Sequence, residues 1–367
     1  MIVTQVDASE AQPDPSLLSN AVSDFPEGIT FSLDLPAAKP PERIELLYRV
    51  ANDDTLHLAL PEMDVAGDRV HAEESIDLQA QYLPAGLDLH YFWRLYDAGG
   101  ASTDTHQQSV SWRDDRFDWR PLRSEQVVLH IHDVSDGFGY EVLTTAQATV
   151  DELETALGAP LSKPIVIWLY STTEALLGAQ QANMRESIAG AAFLEYGLIA
   201  AAVPENDQRE LGRLVPHEVS HLMLHQATEN PFGSLPLWLD EGLAVQMQTA
   251  GKENYPRAVR QALTDDRLFE LASLAATFPF DSEGAYLAYA QSLSAVSFLF
   301  DRYGQEGVAR LIDRLGDGLS TDHSMLDALG IDLANFERDW RASLQTQTGQ
   351  TAAVRGAPSN ERTREAA

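Results

Sequence analysis

The chain has 367 residues, enough for about two domains at ~150 residues each, and its 25 Lys and Arg against 56 Asp and Glu give a net charge of −31. That charge repels phosphate backbones and anionic membranes and argues against a nucleic-acid partner, while 44% hydrophobic residues is the composition of a folded protein rather than of an acidic disordered chain. With no cysteine, disulfides, thiolate metal sites and cysteine nucleophiles are excluded, and no apolar run approaches the ~18 residues of a membrane span.

Lysine occurs three times only, at Lys39, Lys163 and Lys252, so the basic residues are almost all arginine. An acidic, lysine-poor surface suits salty or extracellular water, although a GC-rich genome favours arginine too. Asp7, Glu10, Asp14, Asp24 and Glu27 precede the first basic residue, the reverse of a signal peptide's basic start. Either the protein is cytoplasmic or its leader is absent from this sequence, in which case an extracellular or cell-surface protein is expected.

Residues 1–26 read as an N-terminal extension. From Ile29 to about Asp114 come short alternating runs, Ile29 to Leu35, Ile44 to Val50, Leu56 to Leu60, Ser75 to Tyr82, Leu87 to Tyr96 and Thr105 to Trp112, with Pro- or Asp/Gly-rich turns between them. That spacing predicts a β-sandwich, Ig-like or fibronectin-III-like, over 27–115. The pattern then changes to strands at Gln126 to His132, Pro164 to Tyr170 and Leu198 to Val203, interleaved with helices near Tyr140 to Leu157 and Thr172 to Ala182. Beyond Glu253 helical stripes dominate, at Ala258 to Ala275, Ala285 to Tyr303, Gly307 to Leu315 and Leu333 to Leu344, and the tail 346–367 reads as mobile. A second domain is expected over 120–345.

The chemistry is concentrated in His217-Glu218-Val219-Ser220-His221. On a helix the two histidines, four apart, project from one face one turn apart and can reach a single metal. Glu241 follows in Leu237-Trp238-Leu239-Asp240-Glu241-Gly242-Leu243-Ala244, after a spacer of 19 residues. Two histidines and a carboxylate make a catalytic Zn2+ set that leaves a position for a water whose pKa the metal lowers, and Glu218 is placed as the general base. Asp240 is a candidate to fix the tautomer of a ligand imidazole, or else a surface or capping residue. His225, eight residues after His217, lies ~12 Å along the axis and is read as a non-ligand. Pro216 leaves the start of this helix open, either at Pro216 itself or earlier, where Asp207 with Glu210 makes a capping box.

The His-Glu-x-x-His helix followed by Trp-Leu-Asp-Glu-Gly-Leu-Ala resembles the gluzincins of the peptidase MA-like group, relatives of thermolysin and aminopeptidase N, over about residues 126–345. The resemblance implies an α+β thermolysin-like gluzincin domain with a helical C-terminal lobe, one zinc per chain held by His217, His221 and Glu241, and Glu218 as the residue that activates the water. The spacer is one residue longer than in aminopeptidase N, a difference the Pro231 to Pro236 loop can absorb. A metzincin is excluded, because the position six residues after His221 holds Ala227. By the same resemblance Tyr289 stabilises the oxyanion, with Tyr286 as the alternative donor, and the edge strand within Gly190 to Val203 pairs with the substrate backbone. The aminopeptidase signature Gly-x-Met-Glu-Asn is absent, with Glu195 a displaced remnant, so the expected activity is an endopeptidase acting on peptide or protein. An exopeptidase, a hydrolase of non-peptide substrates and a non-catalytic binding protein on the same scaffold are the alternatives.

Other candidates read as surface. His130 and His132 alternate on one strand and are expected on a solvated face, and Asp114-Asp115 and Asp265-Asp266 are expected to be solvated.

Overall fold

The computed structural model describes residues 17–36, 38–51, 53–78, 83–158, 160–179, 189–228 and 235–355. The chain divides into two compact units. One takes the described residues up to Pro121 with His130–Asp133 and Trp168–Ala202, and the other takes Leu122–Leu129, Val134–Ile167 and the described residues from Val203 onward.

The first unit opens with nine strands: β1 (Leu18–Asp24), β2 (Gly28–Pro36), β3 (Arg43–Val50), β4 (His57–Ala59), β5 (Glu62–Ala66), β6 (Arg69–Asp77), β7 (Leu87–Tyr96), β8 (Ser102–Asp104) and β9 (Gln108–Trp112). They form two antiparallel sheets, ordered β1-β2-β6-β5 and β4-β3-β7-β8, with β9 also on β7. Strict alternation supplies one core: Ile29, Phe31, Leu33 and Leu35 from β2 are buried with Leu89, Tyr91 and Trp93 from β7.

The alternating runs do mark strands, but several boundaries move. No strand is expected before Ile29, yet β1 pairs with β2 along its whole length, from Leu18 opposite Asp34 to Asp24 opposite Gly28. Ser19 on β1 accepts the indole N–H of buried Trp93 at 2.9 Å, a tie that a mostly polar edge strand does not advertise. The run at Ser75 to Tyr82 is the end of β6, which starts at Arg69, and residues 79–82 lie outside those described. β5 was not expected at all, because all five of its residues are exposed and it lacks a buried face.

A third sheet holds β10 (Arg120–Arg123), β11 (Val127–Ile131), β12 (Ile165–Tyr170), β13 (Gly190–Phe193) and β14 (Leu198–Ala202), in the order β10-β11-β12-β14-β13. β13 is an edge strand, antiparallel to β14.

Eight α-helices follow β11 among the described residues: α1 (Asp136–Leu157), α2 (Thr173–Leu177), α3 (Gln208–Thr228), α4 (Leu237–Met247), α5 (Tyr255–Thr264), α6 (Ser282–Gly316), α7 (Thr321–Leu329) and α8 (Leu333–Arg355). α1 begins where Ser135 accepts the N–H of Phe138 and ends at Gly158 in the left-handed conformation. The stripe from Ala258 breaks at Thr264, ahead of Asp266 at φ 53°. The stripes at 285–303 and 307–315 merge into α6, broken only at Gly304 (φ 66°, ψ 176°). α8 carries part of the tail expected to be mobile, as far as Arg355, and 356–367 lie outside the described residues, as do 180–182 of the helix expected after Thr172. No described helix is long and apolar enough to cross a membrane. Mixed sheets with these helices make the molecule a multidomain α+β protein.

Candidate metal centre

α3 takes the earlier of its two possible starts, since Asp207 Oδ1 accepts the N–H of Glu210 at 2.9 Å and the helix runs through Pro216. Its i,i+4 spacing brings Nε2 of His217 and Nε2 of His221 to 3.2 Å, with their rings 89° apart. α4 delivers Glu241, whose Oε2 lies 3.3 Å from His217 Nε2 and 3.6 Å from His221 Nε2. The three side chains are 12%, 13% and 14% exposed. They are the one group of His, Asp and Glu residues among those described that could hold a metal ion.

Close helix packing sets the place of Glu241. A Cβ on Gly242 would come within 2.5 Å of Val296 Cγ2 and 2.7 Å of the Ser292 carbonyl oxygen, so only glycine lets α4 lie this near α6. Trp238, fully buried on α4, stacks on Phe336 of α8 at 6.1 Å and anchors the other end of the segment.

The outer imidazole nitrogens are held as well. His221 Nδ1 lies 3.0 Å from Asp240 Oδ1, and His217 Nδ1 lies 2.9 Å from Nε2 of the Gln248 side-chain amide. The inner face therefore gathers two Nε2 atoms and a carboxylate oxygen, and Glu241 Oε2, although buried, makes no hydrogen bond. Lone pairs converging at such separations repel unless a cation sits among them. Burial pulls the pKa of His221 down, but the charges of Asp240, Glu241 and Glu218 outweigh it and hold the imidazole at about 10. The site selects positive charge, and its two nitrogens and one oxygen are a donor set that fits zinc.

Glu218 is 4% exposed on α3. One turn before His217, Arg213 is bound by Glu210 at 2.5 Å and 2.8 Å, which keeps the guanidinium firmly charged. Of the two tyrosines on α6, Tyr289 brings its ring to 6.4 Å from that of His217 and packs against Phe278 at 5.1 Å. Tyr286 packs instead on Tyr255 at 5.0 Å and is 41% exposed. His225 stays out of the cluster. Glu195 lies in a single 3-10 turn, Leu194–Tyr196, between β13 and β14. The 231–234 part of the loop expected to absorb the longer spacer lies outside the described residues. Sequence reasoning missed Gln248, which follows no metal-ligand spacing and reaches His217 from 31 residues away.

Two surface expectations are overturned. His132 is 1% exposed, stacked on Phe117 at 4.0 Å, and His130 lies flat on Trp168 at 4.1 Å, so aromatic rings rather than water cover this face. Asp114 is fully buried, gripped by Arg116 at 2.5 Å and 2.8 Å and by the hydroxyl of Tyr170 at 3.1 Å. Asp265 and Asp266 are exposed.

No curated protein matches the chain in sequence. Among solved structures it is similar to an aminopeptidase N family protein from Idiomarina loihiensis, at 10% identity over 88% of this chain and 75% of that one, with a TM-score of 0.41. A bromine derivative of BhCBM56 aligns at 12% identity over 27% of this chain and 94% of its own (TM-score 0.20). A polysaccharide deacetylase from Bacillus cereus aligns at 7% identity over 46% and 57% (TM-score 0.23). Likenesses this loose carry no assignment. The family model of the Peptidase MA superfamily, in contrast, matches residues 145–346, more than half of the chain, and takes in α3, α4 and α6. The chain belongs to the peptidase MA superfamily, the gluzincin-like group that its His-Glu-x-x-His and Trp-Leu-Asp-Glu segments resemble.

Proposed function

We propose that this peptidase-family protein is a zinc-dependent endopeptidase, with His217, His221 and Glu241 as metal ligands and Glu218 as general base. The observation that carries the reading is the convergence of His217 Nε2, His221 Nε2 and Glu241 Oε2, which accepts no hydrogen bond, while the outer nitrogens are already engaged. Zinc, when bound, supplies Lewis acidity toward the scissile carbonyl and lowers the pKa of a water at the site.

The chain's own residues do the rest. Glu218 accepts a proton from the attacking water and hands it to the leaving amine, a task worth about 10²–10⁴ in rate. Tyr289 directs its hydroxyl hydrogen at the oxyanion that develops on the carbonyl, with Tyr286 as the alternative donor. Asp240 accepts Nδ1–H from His221, leaving the Nε2 lone pair for the metal. Peptide is the substrate class of the family, and β13, at the end of its sheet, has a backbone edge of the kind that adds an extended peptide. Endopeptidase action is the finer part of the proposal and rests on the missing Gly-x-Met-Glu-Asn segment. Residues 120–345 are proposed as the catalytic domain, residues 27–115 as an Ig-like accessory domain, and the protein as exported.

Zinc per chain, measured by elemental analysis after loading and desalting, tests the site. About one zinc in the parent and a marked loss in Glu241→Ala is the expected result. A folded parent that retains no zinc removes the peptidase mechanism and leaves the binding-protein reading.

A further inference from the structure

Pro216 lies inside α3 and has no N–H, so the carbonyl of Gly212, four residues back, loses its helical donor. A donor arrives from beyond α4. The N–H of Thr249 donates to Gly212 O at 2.8 Å, and Thr249 Oγ1 donates to the same oxygen at 3.3 Å. Gly212 admits this contact, because a Cβ there would lie 2.3 Å from Thr249 Oγ1. Immediately before Thr249, Gln248 leaves the helix in an extended conformation (φ −58°, ψ 135°). Its side chain is held at 6% exposure with the amide against Nδ1 of His217.

We infer that Pro216, Gly212 and Thr249 form a latch that seats Gln248 against His217, and that Gln248 is a positioning residue for the metal; the inference rests on the zinc-site reading above. The two ends of a side-chain amide are nearly isosteric and exchange by rotation about the last torsion. In the structure it is Nε2 of Gln248 that faces Nδ1 of His217; the amide turned about its last torsion puts Oε1 in the same place, where it accepts Nδ1–H and fixes the tautomer whose Nε2 lone pair faces the site. Asp240 does the same for His221 with a charged acceptor. A neutral acceptor on His217 orients the ring without adding a fourth carboxylate beside Glu218, Asp240 and Glu241. The proline just before the first histidine thus acts at a distance: it exposes the one carbonyl that ties the end of α4 to α3.

The test is zinc affinity of the full chain by chelator competition, with the imidazole nitrogens of His217 followed by 15N NMR in the zinc-loaded protein. Gln248→Met, which keeps bulk but removes the acceptor, is expected to weaken zinc binding 10–100-fold and to lose the hydrogen-bonded Nδ1–H signal. Gln248→Glu is expected to restore parent affinity and that signal. Pro216→Ala returns an N–H to the Gly212 carbonyl in competition with Thr249 and is expected to weaken zinc several-fold. Parent affinity in Gln248→Met overturns the positioning role, as does failure of Gln248→Glu to rescue, which would mean packing alone. Parent affinity in Pro216→Ala overturns the latch. A parent chain that binds no zinc instead overturns the metal-site reading, and this inference falls with it.

Discussion

Two histidine pairs in this molecule begin from similar sequence patterns and arrive at opposite ends. His130 on β11 with His132 just past it, and His217 with His221 on α3, each place two imidazoles on one face of a regular element. Against the first pair the fold brings rings: Trp168 lies parallel to His130 within 5°, and Phe117, Trp119 and Tyr170 surround His132. The Nε2 of His132 is buried without a hydrogen bond. Against the second pair the fold brings carboxylates, Glu241 on the inner nitrogens and Asp240 on an outer one. Periodicity decides whether two side chains share a face. What a later segment lays across that face decides whether they fill a core or gather with a carboxylate as a candidate metal centre.

The sharpest way to break this contrast is at the base. Glu218→Gln is expected to keep about one zinc per chain while peptide hydrolysis falls by about 10²–10⁴. Turnover at the parent rate would strip Glu218 of its role and leave α3 with ligands only. Next in size is a matched pair of truncations. His132→Ala empties a ring-lined space and is expected to destabilise the fold by about 2–3 kcal/mol with zinc content unchanged. His217→Ala is expected to do the reverse, losing zinc with a smaller change in the metal-free melting temperature. Zinc loss in His132→Ala would erase the distinction between the pairs.

The last expected effect is in pH. His221 is raised in the folded metal-free chain from 6.5 to about 10 by the carboxylates around it. Its contribution to stability is therefore complete below pH 6.5 and is lost as pH climbs through about 10. The melting temperature of the metal-free protein is expected to drop across that window, and that of the zinc-loaded protein to hold, since metal replaces the proton. Parallel curves for the two forms would show that His221 carries no such proton.

These regions also differ in how far they could be read in advance. The cluster of His217, His221 and Glu241 was legible because each member rests on local spacing, four residues along a helix for the histidines and a short Trp-Leu-Asp-Glu signature for the carboxylate. Asp114 was not, because Asp-Asp-Arg looks like solvated surface until Tyr170 arrives from 56 residues away to cover it. β1 escaped notice for a related reason: Leu18 and Val22 are 63% and 56% exposed, so the strand carries no apolar run and is held by its ladder to β2 and by Ser19. Gln248 belongs with these. Its worth lies in a proline-bared carbonyl on another helix, a relation that no one-dimensional pattern records.

The break in α6 at Gly304 has a consequence for how the molecule opens. At φ 66° and ψ 176° the backbone leaves the helical ladder in a region essentially reserved for glycine. The stretch before it, bearing Tyr286 and Tyr289, and the stretch after it, around Val308, Leu311 and Ile312, are two helical segments that meet at a kink. Amide exchange along these 35 residues is expected to show two separate protection profiles, the stretch bearing Tyr289 keeping its own when the other one frays.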